Sequence, residues 1–242
     1  MAYRNYMKTL IIIPAFNEAE NIEEVVNNLR DNYPQYDYMI VNDGSSDNTA
    51  EICARCGYPC ISLPINLGIG GAVQTGYKYA LENGYDIAVQ MDGDGQHDPA
   101  FLDDMKSIIE AGEADAVIGS RFVEKEGFQS SATRRVGIVF LSVLGKILTG
   151  VRLKDITSGY RMVNRKMIRI YAEDYPSDYP EPEAMVIAAI YGCRIKEYPV
   201  VMKERISGTS SINLKRSVYY MIKVSLAMMV RRLSLGFRRG KG

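Results

Sequence analysis

The 242-residue chain has no tryptophan, one histidine, four cysteines and no excess of either charge, with 29 basic and 29 acidic side chains. Each shortage closes a class of function. Balanced charge lacks the electrostatic footprint of a polyanion-binding protein, so no nucleic-acid partner is expected. Four cysteines are too few for a disulfide framework, and the chain reads as cytosolic. The lone His97 leaves no second imidazole for a zinc site, and a serine triad would hang on it alone. No apolar run reaches the ~18 residues of a membrane-spanning helix. The run Leu10-Ile11-Ile12-Ile13 is short and leads into Pro14-Ala15-Phe16-Asn17-Glu18, not a leader cleavage site. Cys53, Cys56 and Cys60 carry a metal-like spacing. The first two fall in a helical pattern, so packed thiols are the simpler reading.

What the chain does have is 47% apolar residues, enough for one α/β domain with or without an extension. Short apolar runs predict strands over 9–14, 37–41, 86–90 and 114–119. Helical periodicity fills 18–31, 48–56, 70–83 and 99–111. Such alternation predicts a mostly parallel sheet covered by helices, with ligands beyond the carboxyl ends of the strands. The second half is less regular. It predicts a helix over 136–148, strands over 158–164 and 195–202, a loop over 171–182, and a helix over 185–191.

Polar clusters stand where the first, second and a later strand end: Asn17-Glu18, Asn42 to Asp47, and Asp92 to Asp98. In the last, Asp92-Gly93-Asp94-Gly95-Gln96-His97, residues two apart share a side if the segment is extended. Asp92, Asp94 and the Gln96 amide are hard oxygen donors suited to Mg2+ or Mn2+, and the glycines leave room for a ligand. A calcium loop fails on position, since His97 and Asp103 stand where Gly and Glu are required. A ligand-free turn stays open on this segment alone. Gly68-Ile69-Gly70-Gly71-Ala72-Val73 lacks the third glycine of a dinucleotide fingerprint, and no Walker sequence occurs. These glycines are expected to let a helix start close to a ligand or another element.

Ile13-Pro14-Ala15-Phe16-Asn17-Glu18, Val41 to Asp47, Asp92 to His97, Gly119-Ser120-Arg121, Asp155-Ile156-Thr157-Ser158-Gly159-Tyr160-Arg161 and Arg205 to Ser210 occur in one order. That order resembles family 2 glycosyltransferases, and within them the dolichyl- and polyprenyl-phosphate glycosyltransferases, over roughly 9–211. The resemblance implies a GT-A (Rossmann-like) fold, a UDP- or GDP-hexose donor, Mg2+ or Mn2+, a polyprenyl phosphate acceptor and inversion at the anomeric carbon. It implies that Pro14, Ala15, Phe16, Glu18 and Asp43 hold the base and ribose. Asp92, Asp94 and Gln96 would hold metal and diphosphate, with Gly93 beside them. Asp94 and Arg205 would carry the chemistry, and Arg121 and Arg134 would bind the acceptor phosphate. Asp155 and Ser158 stand equally well as site residues or as turn formers. A hydroxyl acceptor, with Glu181 or Glu183 as base, and a non-catalytic nucleotide-sugar-binding adaptor are the competing functions.

From Lys203 onward basic residues crowd the chain, with Glu204 the one acid. The apolar span 218–230 lies between Lys215-Arg216 and Arg231-Arg232. Thirteen helical residues rise only about 20 Å, short of a hydrocarbon core about 30 Å thick. The division expected is a transferase domain over 1–212 and a basic amphipathic extension over 213–242, facing the cytoplasmic membrane surface peripherally. A last core helix is the alternative. Related enzymes sometimes carry C-terminal membrane-spanning helices; their lack in this sequence admits a small membrane protein as partner.

Overall fold

The computed structural model describes residues 7–124, 132–203 and 214–239. β1 (Thr9–Ala15) is buried along its whole length. Its side chains alternate between two cores, Leu10 and Ile12 facing one, Ile11 and Ile13 the other. Only a strand covered on both faces needs apolar residues at every position. α1 (Ile22–Asn32) supplies the complementary stripe, burying Ile22, Val25, Val26 and Leu29 on the Ile11 side. β2 (Asp37–Asn42), α2 (Thr49–Cys56), β3 (Cys60–Ser62), α3 (Gly68–Glu82) and β4 (Ile87–Gln90) continue the alternation. β1 pairs with β2 and β4, and β2 with β3, all in parallel.

A short 3-10 turn at Pro99–Phe101 leads into α4 (Leu102–Glu110), then β5 (Ala116–Ser120) and α5 (Ala132–Thr149). β6 (Arg161–Asn164) enters the sheet between β4 and β5, antiparallel to both. α6 (Arg165–Glu173), α7 (Pro180–Ile190) and β7 (Ile195–Pro199) follow, β7 closing the edge parallel to β5. The strand order is β3-β2-β1-β4-β6-β5-β7. This is the mostly parallel, helix-flanked sheet that the alternating pattern predicts, with one strand reversed.

Two local expectations are corrected. β3 is a strand that its three residues do not announce. The span 171–182 is not one loop: α6 runs through Glu173 and α7 begins at Pro180. Proline fits there because the first helical turn has no intrahelical partner for its missing N–H. α6 is capped by Asn164, whose Oδ1 accepts the Met167 N–H at 3.1 Å.

α8 (Leu214–Arg239) carries the apolar span 218–230 within one helix. Its inner face is core, with Val224 and Met228 buried in the Leu10–Ile12 cluster. Arg231 pairs with Asp174 at 2.9 Å and with Glu183 at 2.8 Å, and Lys223 pairs with Asp178. The expected boundary at 212 lies outside the described residues. No described helix is long and apolar enough to cross a membrane.

The glycines at the start of α3 serve a protein contact. A Cβ on Gly70 would stand 2.0 Å from the Pro176 carbonyl oxygen and 2.4 Å from that of Ser177. The Gly70 N–H, which no helical carbonyl can reach, donates instead to Ser177 O at 3.1 Å. Gly70→Ala therefore forces backbone apart, which outweighs alanine's helix preference. It is expected to cost about 1–3 kcal/mol, read as a lowered urea midpoint at unchanged slope.

Candidate active site

β1, β2 and β4 run in parallel, so the loops that follow them meet at one edge of the sheet. The first two loops are stitched together. Asn17 sits in the left-handed region, φ 57, which asparagine tolerates better than most residues. There its Oδ1 accepts the Ser46 N–H at 2.8 Å and the Asp47 N–H at 3.3 Å. The Asp43 N–H donates to Ala15 O at 2.9 Å, and the Glu18 N–H to Thr49 Oγ1 at 2.9 Å. Asp43 is buried, and its Oδ1 takes the Leu67 N–H at 2.7 Å, tying the start of α3 to the same crevice. Pro14 and Ala15 belong to the end of β1. Phe16 follows β1 with half its surface exposed, and Glu18 accepts from Asn21 Nδ2 at 2.7 Å.

The acidic loop is shaped differently from an extended strand. The chain turns at Gly93–Asp94, and Gly95 has φ 78. Alternation along a strand therefore does not relate Asp92 to Asp94. Asp94 is buried and its Oδ1 accepts the Gln96 N–H at 3.1 Å, whereas Asp92 is about one-third exposed. His97 fastens the turn: its Nδ1 accepts the Asp92 N–H at 3.0 Å, and its ring stacks on Tyr160 at 4.9 Å. The single histidine thus holds the backbone of Asp92, with its Nε2 3.8 Å from the Asp92 carboxylate. Among the described residues no three His, Cys, Asp or Glu side chains form a ready metal cage. A divalent ion fits here only with few protein oxygens and most of its shell from diphosphate and water, the arrangement magnesium favours.

The segment 155–161 forms the facing wall. Asp155, fully buried, takes Arg121 Nε and Nη2 at 2.7 Å each, and the Arg121 N–H at 3.2 Å. Ser158 Oγ donates to Gly119 O at 2.6 Å. Arg161 is buried too, and donates to the carbonyls of Ile156 (2.8 Å), Ser158 (2.6 Å) and Glu181 (2.6 Å). This holds Gly159 so close that a Cβ there would lie 3.4 Å from Asp92 Oδ2. Glu181, in the first turn of α7, has its carboxyl pKa raised by burial, against the pull of Arg161 and with the push of Asp92. Glu183 is engaged instead by Arg231. Lys203 docks on the acidic loop, its N–H donating to Gln96 O at 3.0 Å and its Nζ lying 3.1 Å from Asp98.

The structure therefore places Pro14 to Glu18, Asp43, Asp92 to Gln96, Arg121, Asp155 and Ser158 at one edge of the sheet. It shows Asp155 and Ser158 holding the wall through protein bonds, and it spends two arms of the Arg121 fork on Asp155. Arg205 and the side chain of Arg134 lie outside the described residues. His97, Arg161 and Lys203 went unassigned in the sequence, though Arg161 closes one of its motifs.

The sequence profile of Glycosyl transferase family 2 matches residues 10–171. The chain belongs to that family. The transferase is 33% identical over 216 residues to the undecaprenyl-phosphate mannosyltransferase of Micrococcus luteus, covering 86% of this chain and 88% of the relative. It is 34% identical over 213 residues to the UDP-N-acetylglucosamine–dolichyl-phosphate N-acetylglucosaminyltransferase of Methanococcus voltae, covering 78% and 83%. Its fold matches glucosyl-3-phosphoglycerate synthase of Mycobacterium tuberculosis, solved with Mn2+, UDP-glucose and phosphoglyceric acid. The TM-score is 0.71 at 17% identity over 94% of this chain and 80% of that one. The architecture is thus GT-A, and the chain is a glycosyltransferase.

Removing Asp155 leaves the Arg121 guanidinium buried without its counter-ion. Asp155→Ala is expected to destabilise the enzyme by about 3–5 kcal/mol. Chemical denaturation measures this, and a loss below about 1 kcal/mol, the range of exposed pairs, would show that water reaches the pair.

Proposed function

We infer that this transferase moves a hexosyl group from a UDP- or GDP-sugar to a polyprenyl phosphate, dolichyl or undecaprenyl, with inversion. The observation that carries the reading is the fastened acidic turn 92–97 at the end of a central strand, in a chain whose near full-length relatives are named for polyprenyl-phosphate acceptors. Phe16 offers an exposed ring for the base, and Asp43 and Glu18 lie beside it for the ribose. Asp92, Asp94 and Gln96 would hold Mg2+ or Mn2+, which when bound neutralises charge growing on the leaving diphosphate. Lys203 rests on the acidic loop, and Arg205, two residues later in sequence, is the proposed donor-phosphate arginine. Arg134, with whatever of Arg121 is left by Asp155, serves the acceptor phosphate. A phosphate monoester, with a second pKa of about 6, is already largely dianionic at neutral pH and needs no general base. Work at the cytoplasmic membrane face follows from a lipid-borne acceptor. There residues 1–212 act as the transferase unit and 213–242 as its membrane-facing extension.

One observation favours a second reading. Glu181 stands beside Asp92 with a raised carboxyl pKa, as a base for a hydroxyl acceptor would. Glu181→Gln separates the two. With a phosphate acceptor kcat should stay within about tenfold of wild type, whereas loss of a general base costs about 10²–10⁴-fold. Short-chain polyprenyl phosphate and free sugars, offered side by side, decide between them.

Asp94→Asn is expected to abolish metal-dependent turnover in a protein that still folds, because an anionic contribution worth several kcal/mol is lost. Wild-type rates at saturating Mg2+ or Mn2+ would remove the metal assignment.

A further inference from the structure

β4 ends in a residue that its surroundings do not explain. Ile87, Ala88 and Val89 are apolar and buried, as a strand covered on both faces requires. Gln90 follows them in the middle of the sheet, between β1 and β6, with none of its surface exposed. Burying an amide is unfavourable unless its polar atoms find partners. Among the described residues the Gln90 side chain has two. Its Nε2 donates to Asp92 Oδ1 at 3.3 Å, and the Tyr175 hydroxyl donates to its Oε1 at 3.5 Å. Neither partner is a backbone group, so no strand or turn is tied by this amide. Tyr175 is buried as well, its ring 5.4 Å from that of Tyr77 and 5.0 Å from that of Tyr171. Burial raises its phenol pKa, so the hydroxyl keeps its proton. Giving that proton to Oε1 turns the NH2 end of the amide toward Asp92.

Asp92 thus has a nitrogen behind each oxygen. Gln90 Nε2 lies by Oδ1, and His97 Nε2 stands 3.8 Å from Oδ2. Because His97 Nδ1 accepts the Asp92 N–H, the proton of the neutral ring is on Nε2, the nitrogen that faces this carboxylate. Gly159 adds a third boundary: a Cβ there would come 3.1 Å from Gln90 Nε2 and 3.4 Å from Asp92 Oδ2. The carboxylate is held against rotation, yet about one-third of the side chain stays open.

We propose that Gln90 is a positioning residue for the divalent ion, its amide holding the Asp92 carboxylate at the angle at which the open lone pairs meet the metal. The proposal rests on the reading above in taking Asp92 as a metal ligand. The two acidic residues of the turn are then supported differently. Asp94 is braced from within the turn, by the Gln96 N–H, and Asp92 from the strand, by a side chain. A carboxylate already fixed has less freedom to lose when an ion binds, and outer partners of this kind change metal affinity about 10–100-fold. The neutrality of the donor matters. A lysine or arginine at this place would offset the carboxylate charge and compete with the cation for it, whereas an amide leaves the full negative charge to the ion.

Gln90→Met keeps the length of the side chain and removes the donor. The probe is Mn2+, titrated into the full chain with saturating UDP and, separately, GDP, and followed by the electron paramagnetic resonance of the free ion. No sugar or acceptor is present, so binding is read without turnover. The variant should bind Mn2+ about 10–100-fold more weakly than the unsubstituted enzyme. In transfer to short-chain polyprenyl phosphate, the metal concentration giving half the maximal rate should rise by the same factor, with the rate restored at saturating metal. The melting temperature of the metal-free protein should hold, because an apolar side chain then ends an apolar strand. A lowered melting temperature with unchanged Mn2+ affinity would make Gln90 a structural residue and overturn the proposal. A fall in kcat that saturating metal does not restore would place the amide at the reacting groups, and overturns it as well. Should Gln90→Met not fold, Gln90→Asn draws the amide back by one methylene and should show the same loss of Mn2+ affinity; wild-type affinity there overturns the proposal. Asp92→Asn keeps this test apart from the wider reading. Weakened Mn2+ binding by Asp92→Asn beside wild-type binding by Gln90→Met removes the proposal alone. Wild-type binding by Asp92→Asn, or no Mn2+ binding by the unsubstituted enzyme, removes the metal reading and the proposal with it.

Discussion

The site depends on charge held out of water in the segment 155–161. Asp155 neutralises Arg121 through two 2.7 Å contacts, and Arg161 is satisfied by three backbone carbonyls. Such groups add little net stability over a well-packed apolar replacement, yet removing one partner is expensive. What they supply is position. Arg161 joins the wall that carries Gly159 to the first turn of α7, and Asp155 joins the same wall to the end of β5. β6 continues directly from this wall into the centre of the sheet, antiparallel to its neighbours. The reversed strand and the shape of the crevice are one constraint.

On the other side of the crevice, small polar contacts do the shaping. Asn17 accepts a left-handed backbone so that its carbonyl can receive two amides from the β2 loop. His97 and Tyr160 hold the acidic turn from beneath. These loops are thereby fixed by contacts within the protein, the condition under which carboxylates and dipoles act without reorganisation.

Much of this was legible in the sequence, for physical reasons that also mark where legibility stops. β1, β2 and β4 could be read because a doubly covered strand must be apolar throughout, and the polar loops after them because parallel strands end on one edge. The reversal of β6 lies in its pairing with β4 and β5, both far earlier in the chain, which no local pattern encodes. α6 went unread although the Asn164 cap is a local signal, and only its last residues, 171–173, enter the stretch rich in Tyr, Pro and Asp. The likeness of motifs named Asp92 and Asp94 as a pair, but strand alternation does not relate them, since Gly93 to Gly95 turn the chain. Arg121 read as a free phosphate fork because Asp155, 34 residues on, cannot be paired with it from sequence.

The zero net charge of the whole chain conceals a strong polarity. α5 and α8 hold basic residues and no acids, so the remainder of the protein is acidic on balance. A body charged in this way is a large electric dipole, and a dipole near a charged sheet experiences torque as well as attraction. Within the ~10 Å reach of an unscreened field at 0.1 M salt, the molecule is turned before it touches anything. An encounter with an anionic surface would then begin on the side of these two helices.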